Sequence, residues 1–165
     1  MDKIEKRRTT TRMELLMTAF GIRILDSEGD VVSVNLNDIL DVIDFGDSLH
    51  WSILFLWATG NLGEDKSMPL FERDIFKSEN GLFISWQELK SLSNKFDQVI
   101  DLTLIGCKNK NFLRRYKTDR EKYDNCDVVI KMIDSSYWEI YAKDECLIKK
   151  VKEMFNETEY LSEPD

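Results

Sequence analysis

The sequence is poor in the residues from which linkers, disulfide frameworks and metal sites are built. Its 165 residues include 2 Pro, 7 Gly, 3 Cys and 1 His. Such low Pro and Gly content leaves little room for long linkers or low-complexity tracts. The cysteines, Cys107, Cys126 and Cys146, are widely spaced and form no CxxC pair, which argues against a disulfide framework and a structural zinc site. We therefore expect three reduced thiols.

Catalytic motifs are equally scarce. The chain contains no GxGxxG, GxxxxGK[ST], HExxH or EF-hand pattern. We interpret His50, the only histidine, as a structural residue of an apolar segment rather than a general base. We therefore expect a protein that is not an enzyme and has no metal or cofactor. The 31 acidic residues leave one alternative open, a small metal-dependent or acid-base hydrolase that uses scattered carboxylates and His50.

Long hydrophobic runs are also missing. The most apolar stretch, residues 51–60, is much shorter than the about 20 residues that a membrane-spanning helix needs. It lies in the middle of the chain, which is the wrong place for a signal peptide. We expect a cytoplasmic protein that does not bind membranes.

What the sequence has in excess is negative charge, and this charge is unevenly spread. The net charge is −8. Residues 1–12 carry +3 and residues 106–122 carry +5, whereas residues 13–105 carry −10 and residues 123–165 carry −6. An acidic body repels phosphates and attracts basic proteins. We therefore expect a basic protein partner and no direct binding of nucleic acid.

One basic stretch keeps a third function class open. Arg114, Arg115 and Lys117 lie close to the aromatic residues Phe112 and Tyr116. Interleaved cations and aromatic rings are typical of single-stranded nucleic-acid sites. An RNA-binding regulatory module is therefore a further alternative, next to a solvated basic loop.

Hydrophobic periodicity and turn residues predict the secondary structure. In chain order the predicted elements are a hairpin over 20–36, a short helix over 37–47, a buried helix over 48–60, a loop over 61–81, a helix over 85–96, a strand over 98–106, a hairpin over 127–142 and a final helix after 144. Strands joined by short turns pair in antiparallel fashion. The sequence therefore predicts an α+β fold, one mainly antiparallel sheet with helices packed on it.

The boundaries of this domain follow from composition. We expect a single domain over residues 13–155, preceded by a basic flexible arm over 1–12 and followed by an acidic flexible tail over 156–165. Within the domain, Ser85 followed by Glu88 predicts a capping box at a helix start. Asp144 is a second predicted helix cap.

Four aspartates recur at every third position, Asp38, Asp41, Asp44 and Asp47. In a helix this spacing brings like charges to one side, where they repel each other. A basic partner relieves that repulsion, so these residues are candidates for partner binding. An ordinary solvated helix face explains the same spacing, and the pattern alone does not decide between the two.

A second candidate surface lies on the strand predicted over residues 137–142. If Trp138 and Ile140 point into the core, the alternation turns Tyr137, Glu139 and Tyr141 outward. Tyrosine is enriched at the energetic centres of interfaces, so these three residues are predicted to bind a partner. A helix over this face, or the opposite register, would bury them instead.

The C-terminal third, "CDVVIKMIDSSYWEIYAKDECLIKKVKEMF" from Cys126 to Phe155, resembles the ending of small bacterial immunity proteins. Those proteins neutralise toxins of polymorphic-toxin and contact-dependent growth inhibition systems. The resemblance consists of a strand, a D-S-S turn, an aromatic-acidic strand and a closing amphipathic helix. It implies a cytoplasmic inhibitor that binds the C-terminal domain of a cognate toxin, commonly a basic nuclease.

Overall fold

Seven strands form one antiparallel sheet in the computed structural model, which describes residues 21–162. They are β1 (Gly21–Ile24), β4 (His50–Gly60), β5 (Leu82–Ile84), β6 (Phe96–Cys107), β7 (Val128–Ile133), β8 (Tyr137–Ala142) and β9 (Thr158–Leu161). Their order across the sheet is β5-β4-β6-β7-β8-β1-β9. A separate two-stranded hairpin consists of β2 (Ser27–Glu28) and β3 (Val31–Val32).

Helices lie on both sides of this sheet. Among residues 21–162 they are α1 (Leu36–Leu40), α2 (Met68–Lys77), α3 (Trp86–Ser93), α4 (Asp119–Asn125) and α5 (Glu145–Met154). We call the face covered by α1, α3 and α5 the inner face, and the opposite one the outer face. The predicted α+β class is confirmed. None of the helices in the described part of the chain is long and apolar enough to cross a membrane.

The main core fills the space between the inner face and its three helices. Trp51 and Trp138 are each 1% exposed. The Trp51 indole N–H donates to the Gly46 carbonyl at 2.9 Å, and that of Trp138 donates to the Val34 carbonyl at 2.8 Å. Because buried polar groups need partners, these bonds allow two large aromatic side chains to enter the core without an unpaired donor.

Several local predictions are confirmed. The Ser85 hydroxyl accepts from the Glu88 N–H, and the Glu88 carboxylate accepts from the Ser85 N–H, each at 3.2 Å. Asp144 caps α5 by accepting from the Cys146 N–H at 2.9 Å. The hairpin β7–β8 turns through Asp134 and Ser135, whose φ values of 47° and 57° are typical of a tight primed turn.

The helix predicted over residues 48–60 is wrong, because this segment is strand β4. Its residues are apolar almost continuously, and such a run does not reveal its period. The strand is covered on both faces over part of its length. A β-bulge at Leu54 also interrupts the alternation, since Ile53 pairs with Leu104 while Phe55 pairs with the next residue, Thr103.

Three further boundaries differ from the prediction. The stretch 61–81 was expected to be a loop but contains α2, which has Pro69 in its first turn. The tail expected to be flexible from residue 156 contains β9, which pairs with β1. The first strand β1 pairs with β8 and β9 instead of with the Val32 segment. The basic arm predicted over 1–12 lies outside the described residues.

Arg115 stabilises the edge of β4 that faces away from β6. Strand β5 pairs only with Trp51–Ile53, so the rest of this edge lies against α2. The Arg115 guanidinium donates to the carbonyls of Leu54 at 2.6 Å, Ile75 at 2.7 Å and Ser78 at 3.1 Å. One planar side chain thus joins the β4 bulge to the end of α2, where the last carbonyls have no N–H four residues further along a helix.

We expect Arg115→Ala to lower the free energy of unfolding by about 2–4 kcal/mol, because charged hydrogen bonds are worth about 1.5–3 kcal/mol each and carbonyls lose partners. Arg114→Ala is the matched control. Its guanidinium lies 4.7 Å from the Tyr116 ring centroid, a contact worth about 0.5–1 kcal/mol at an exposed site. Urea unfolding measures both, and equal losses would contradict a special role for Arg115.

Candidate partner-binding surface

A row of side chains crosses six strands on the outer face. The strand pairing places Phe55, Thr103, Lys131, Glu139, Arg23 and Glu159 beside one another in that order. Their sequence neighbours, such as Leu102, Ile130 and Ile140, face the main core. This row divides the outer face into two halves. Elements of the described chain cover the side chains on one side of the row and leave those on the other side exposed.

The covered half lies beneath α4 and the loop over 108–118. Leu54, Ile105, Val129 and Tyr141 form a second apolar cluster there. Leu113 of the loop is 3% exposed, which shows how closely the loop packs on the sheet. The Tyr123 ring of α4 stacks on Tyr141 with a centroid distance of 3.8 Å and an interplanar angle of 18°.

In the open half, aromatic side chains are not covered by any other element of residues 21–162. Phe55 is 41% exposed and Trp57 is 52% exposed. They are neighbours on one face of β4, opposite Thr103 and Asp101 of β6. Ile133 and Tyr137 are paired on the adjacent hairpin and are partly exposed. We call these six residues, Phe55, Trp57, Asp101, Thr103, Ile133 and Tyr137, the open patch.

The structure separates the three residues predicted to face outward on β8. Trp138 and Ile140 point into the core, so the predicted register is confirmed. Tyr141 and Glu139 are each only 9% exposed, so the expectation that they lie on an exposed partner-binding face is wrong for them. The physical reasons are the stack of Tyr123 on Tyr141 and the ion pair of Glu139 with Arg23 at 2.9 Å. Only Tyr137 belongs to the open patch.

The charges along the row are paired locally. Arg23 bridges Glu139 and Glu159, at 2.9 Å and 2.8 Å, and its guanidinium lies 4.4 Å from the Tyr137 ring centroid. Lys131 lies 3.7 Å from Asp119 of α4. These pairs form a polar border between the covered half and the open patch.

The four recurring aspartates do not form one cluster on a helix. Helix α1 ends at Leu40, so Asp44 and Asp47 lie beyond it and the expected helical stripe is wrong. Asp38 accepts from the Asn35 N–H at 2.8 Å, Asp44 pairs with Lys150, and Asp47 accepts from Gln87 at 3.4 Å. All four are exposed, on the helical layer over the inner face. We call residues 38–47 the acidic segment.

A cleft of about 420 Å³ lies beside β5, and it holds His50. Asp47, Lys110, Phe83 and Trp86 line it too. His50 is exposed at the start of a strand, so its interpretation as part of a buried helix is wrong. The hydrolase alternative would use this cleft. No group of three or more His, Cys, Asp or Glu side chains in the described range can hold a metal ion.

The basic stretch has a structural task for at least one of its arginines. Arg115 is bonded to backbone carbonyls, as described above, and Arg114 lies over Tyr116. The Tyr116 hydroxyl donates to the Phe112 carbonyl at 2.6 Å. The interleaved aromatic residues Phe112 and Tyr116 therefore hold the loop on the sheet, whereas Arg114 and Lys117 are exposed.

Sequence reasoning missed Phe55 and Trp57, the most exposed aromatic residues of the patch. The available signal was their spacing: Phe55, Trp57 and Thr59 alternate with Leu56 and Ala58. That pattern predicts a strand with one buried face. The preceding residues, 51–54, are mostly apolar, so the alternation was not recognised in the sequence.

Comparison with known proteins identifies a family for almost the whole described chain. A family model described as "Protein of unknown function (DUF2691)" matches residues 22–162. The chain belongs to this family. Its boundaries coincide closely with β1 and β9, so the family shares a domain that includes the edge strand at the C-terminal end. Searches against curated proteins and against solved structures returned no match.

The tyrosine stack predicts how stability responds to alkaline pH. Burial, followed by the charge of Glu139, raises the pKa of Tyr141 to about 12. An unfolded chain releases this proton near pH 10, the ordinary pKa of tyrosine. The unfolded state therefore binds fewer protons than the folded state between about pH 10 and 12, and stability falls as pH rises through this window.

We expect Tyr141→Phe to make that fall shallower by about 1.4 kcal/mol per pH unit. Urea unfolding at several pH values between about 9 and 11.5 measures the slope around the ordinary tyrosine pKa. Tyr160→Phe is the control, because Tyr160 is 57% exposed. An unchanged slope in Tyr141→Phe would mean that the buried hydroxyl does not contribute.

Proposed function

We propose that this protein acts by binding another protein through the open patch, as an immunity protein that neutralises a toxin domain. The observation that carries the proposal is the exposed pair Phe55 and Trp57 on the outer sheet face. Adjacent exposed aromatic side chains are uncommon on a surface that functions alone, since contiguous apolar patches mark interaction sites.

The composition of the patch supports a protein partner. Tryptophan and tyrosine dominate the energetic centres of protein interfaces, and a polar rim surrounds such centres. In the open patch, Trp57 and Phe55 form the apolar part on β4, and Tyr137 lies three strands away on β8. The paired charges of Arg23, Glu139 and Lys131 supply a polar border on one side.

A rigid platform favours tight inhibition. The patch residues belong to strands β4, β6, β7 and β8, which ladder hydrogen bonds join into one sheet. The edge of β4 that β5 leaves unpaired is held by Glu72 of α2 and by Arg115. Side chains on such a platform lose little backbone entropy on binding, which preserves affinity. An inhibitor that blocks its target by occupancy benefits directly from this property.

The toxin-neutralising class rests on the C-terminal resemblance together with the charge. The resembling segment corresponds to β7, β8 and α5, and β7 and β8 supply Ile133 and Tyr137 of the patch. The net charge of −8 suits a basic target such as a nuclease, because opposite charge accelerates association. The acidic segment is the part of the surface that we assign to this attraction.

We expect Trp57→Ala to weaken partner binding by more than tenfold, because truncation of a central tryptophan removes more than about 1.4 kcal/mol. The candidate partners for the test are the products of the neighbouring genes, each co-expressed and co-purified with this protein. Calorimetry measures affinity, and survival of cells that express the toxin measures neutralisation. The folding free energy should change by less than about 1 kcal/mol, as at most surface positions.

Tyr160→Ala is the matched control for that experiment. Tyr160 is 57% exposed, close to the 52% of Trp57. It pairs with Ile22 of the main core, so it lies on the inner side of the sheet. Loss of binding in both variants, or in neither, would contradict the assignment of the interface to the open patch.

The acidic segment should act on the rate of association. We expect Asp41→Asn with Asp47→Asn to slow association at low salt, and the effect should shrink as salt shortens the reach of surface fields to about 8 Å at physiological ionic strength. Glu64→Gln with Asp65→Asn removes the same charge from another exposed loop. Stopped-flow association rates that are equal for the two double variants would show that only net charge matters.

A further inference from the structure

Two buried cysteines lie side by side beneath the loop of the outer face. Cys107 is 0% exposed and Cys126 is 2% exposed, and both belong to the second apolar cluster. Both are free thiols. The chain thus places two of its three cysteines in one small cluster although 18 residues separate them in the sequence.

The backbone around both cysteines runs as an antiparallel pair. Gly106 pairs with Val128 in the β6–β7 ladder. Beyond that pair, the Asp127 N–H donates to the Gly106 carbonyl at 2.9 Å, and the Lys108 N–H donates to the Asp127 carboxylate at 2.7 Å. Asp127 and Val128 thus both oppose Gly106, as in a β-bulge, and the next residues outward are Cys126 and Cys107. Residues that oppose each other on antiparallel strands have Cα atoms about 4.5–5.5 Å apart, which lies within the about 4.4–6.8 Å that disulfides span.

We propose that Cys107 and Cys126 are an oxidative modification site, at which a low-molecular-weight disulfide converts the two thiols into an intramolecular disulfide. In the first step local opening of the loop over 108–118 uncovers the buried Cys107. Its thiolate attacks one sulfur of the reagent, a mixed disulfide forms, and one reagent thiolate leaves. In the second step the Cys126 thiolate attacks the Cys107 sulfur and expels the second reagent thiolate. The two protein thiols are oxidised, the reagent is reduced to two thiols, and the protons of the cysteines pass to them.

The environments of the thiols fit these roles. A hydrogen bond with the Cys126 thiol lowers the pKa of Cys107 although burial opposes the change, and the backbone of Asp127 lowers it further. The same thiol–thiol bond, followed by burial, raises the pKa of Cys126. Cys107 is therefore the thiol that ionises first, and the thiolate is the reacting form.

The cross-link would close the loop that covers part of the outer face. This loop places Phe112, Leu113 and Tyr116 over the second cluster. It also places Arg115 against β4 and α2. A closed loop restricts the unfolded chain and keeps the cover in place. This effect does not depend on the proposed function, since no open-patch residue takes part in it.

The test treats the reduced full-length protein with oxidised glutathione, followed by denaturation, alkylation and mass spectrometry. We expect an intact mass two hydrogens lower, one peptide pair linked through Cys107 and Cys126, and a higher midpoint of thermal unfolding that dithiothreitol reverses. Alkylation of both thiols, or cross-links that involve only Cys146, would overturn the proposal. So would the same cross-link pattern from protein oxidised in concentrated guanidinium chloride, because the fold would then not direct the pairing.

Two variants serve as controls. Cys146→Ser changes the exposed cysteine of α5 and should leave the cross-link unaffected. Cys126→Ala should stop the reaction at the mixed disulfide, with glutathione on Cys107. Glutathione absent from Cys107 in a Cys126→Ala protein that still melts cooperatively would contradict the assigned order of attack. The wild-type cross-link decides the proposal itself if that variant does not fold.

Discussion

The backbone groups that β5 leaves unpaired on the outer edge of β4 are the constraint from which much of this structure follows. A free strand edge invites aggregation unless another element covers it. Here α2 lies along the edge, and the Glu72 carboxylate accepts from the Ala58 N–H at 3.3 Å. At the bulge, the Arg115 guanidinium donates to the Leu54 carbonyl. Because Arg115 belongs to the loop over 108–118, sealing the edge also fixes that loop on the outer face.

This arrangement explains why the outer face has a covered and an open half. The loop reaches the sheet at Leu54 and continues into α4, which lies over β7. Without the bulge, Leu54 and Phe55 would point to opposite faces. With it, both lie on the outer side, Leu54 under the loop and Phe55 beyond it. One extra residue in β4 thus creates the boundary at which the open patch begins.

The parts of the fold that were predictable from sequence are those specified by local chemistry. The Ser85–Glu88 capping box, the Asp144 cap and the Asp134–Ser135 turn need only neighbouring residues, and all are present. The predictions for β4 and β9 failed because their structure depends on distant partners. Strand β4 is apolar on both faces because helices and a loop from elsewhere cover it, and β9 is ordered by pairing with β1.

The candidate site shows the same limit. Alternation on β8 correctly placed Trp138 in the core, but the sequence gives no sign that Tyr123, in another element, stacks on Tyr141. The open patch could not be inferred either, because Phe55 and Tyr137 become parts of one surface only through the order β4-β6-β7-β8. For the four aspartates, the sequence predicted their exposure but not their positions relative to one another. Exposed carboxylates were expected and found, whereas their dispersal over separate partners follows from the early end of α1.

The positions of the two candidate surfaces restrict how one partner can use both. The acidic segment lies on the helical layer, and the sheet separates it from the open patch on the outer face. A partner seated on Trp57 and Phe55 therefore meets the acidic segment only if it extends around an edge. Surface fields act across such a distance at low ionic strength, whereas desolvated contacts do not. The aspartates thus fit attraction during approach, and the aromatic residues fit the contact that holds the complex together.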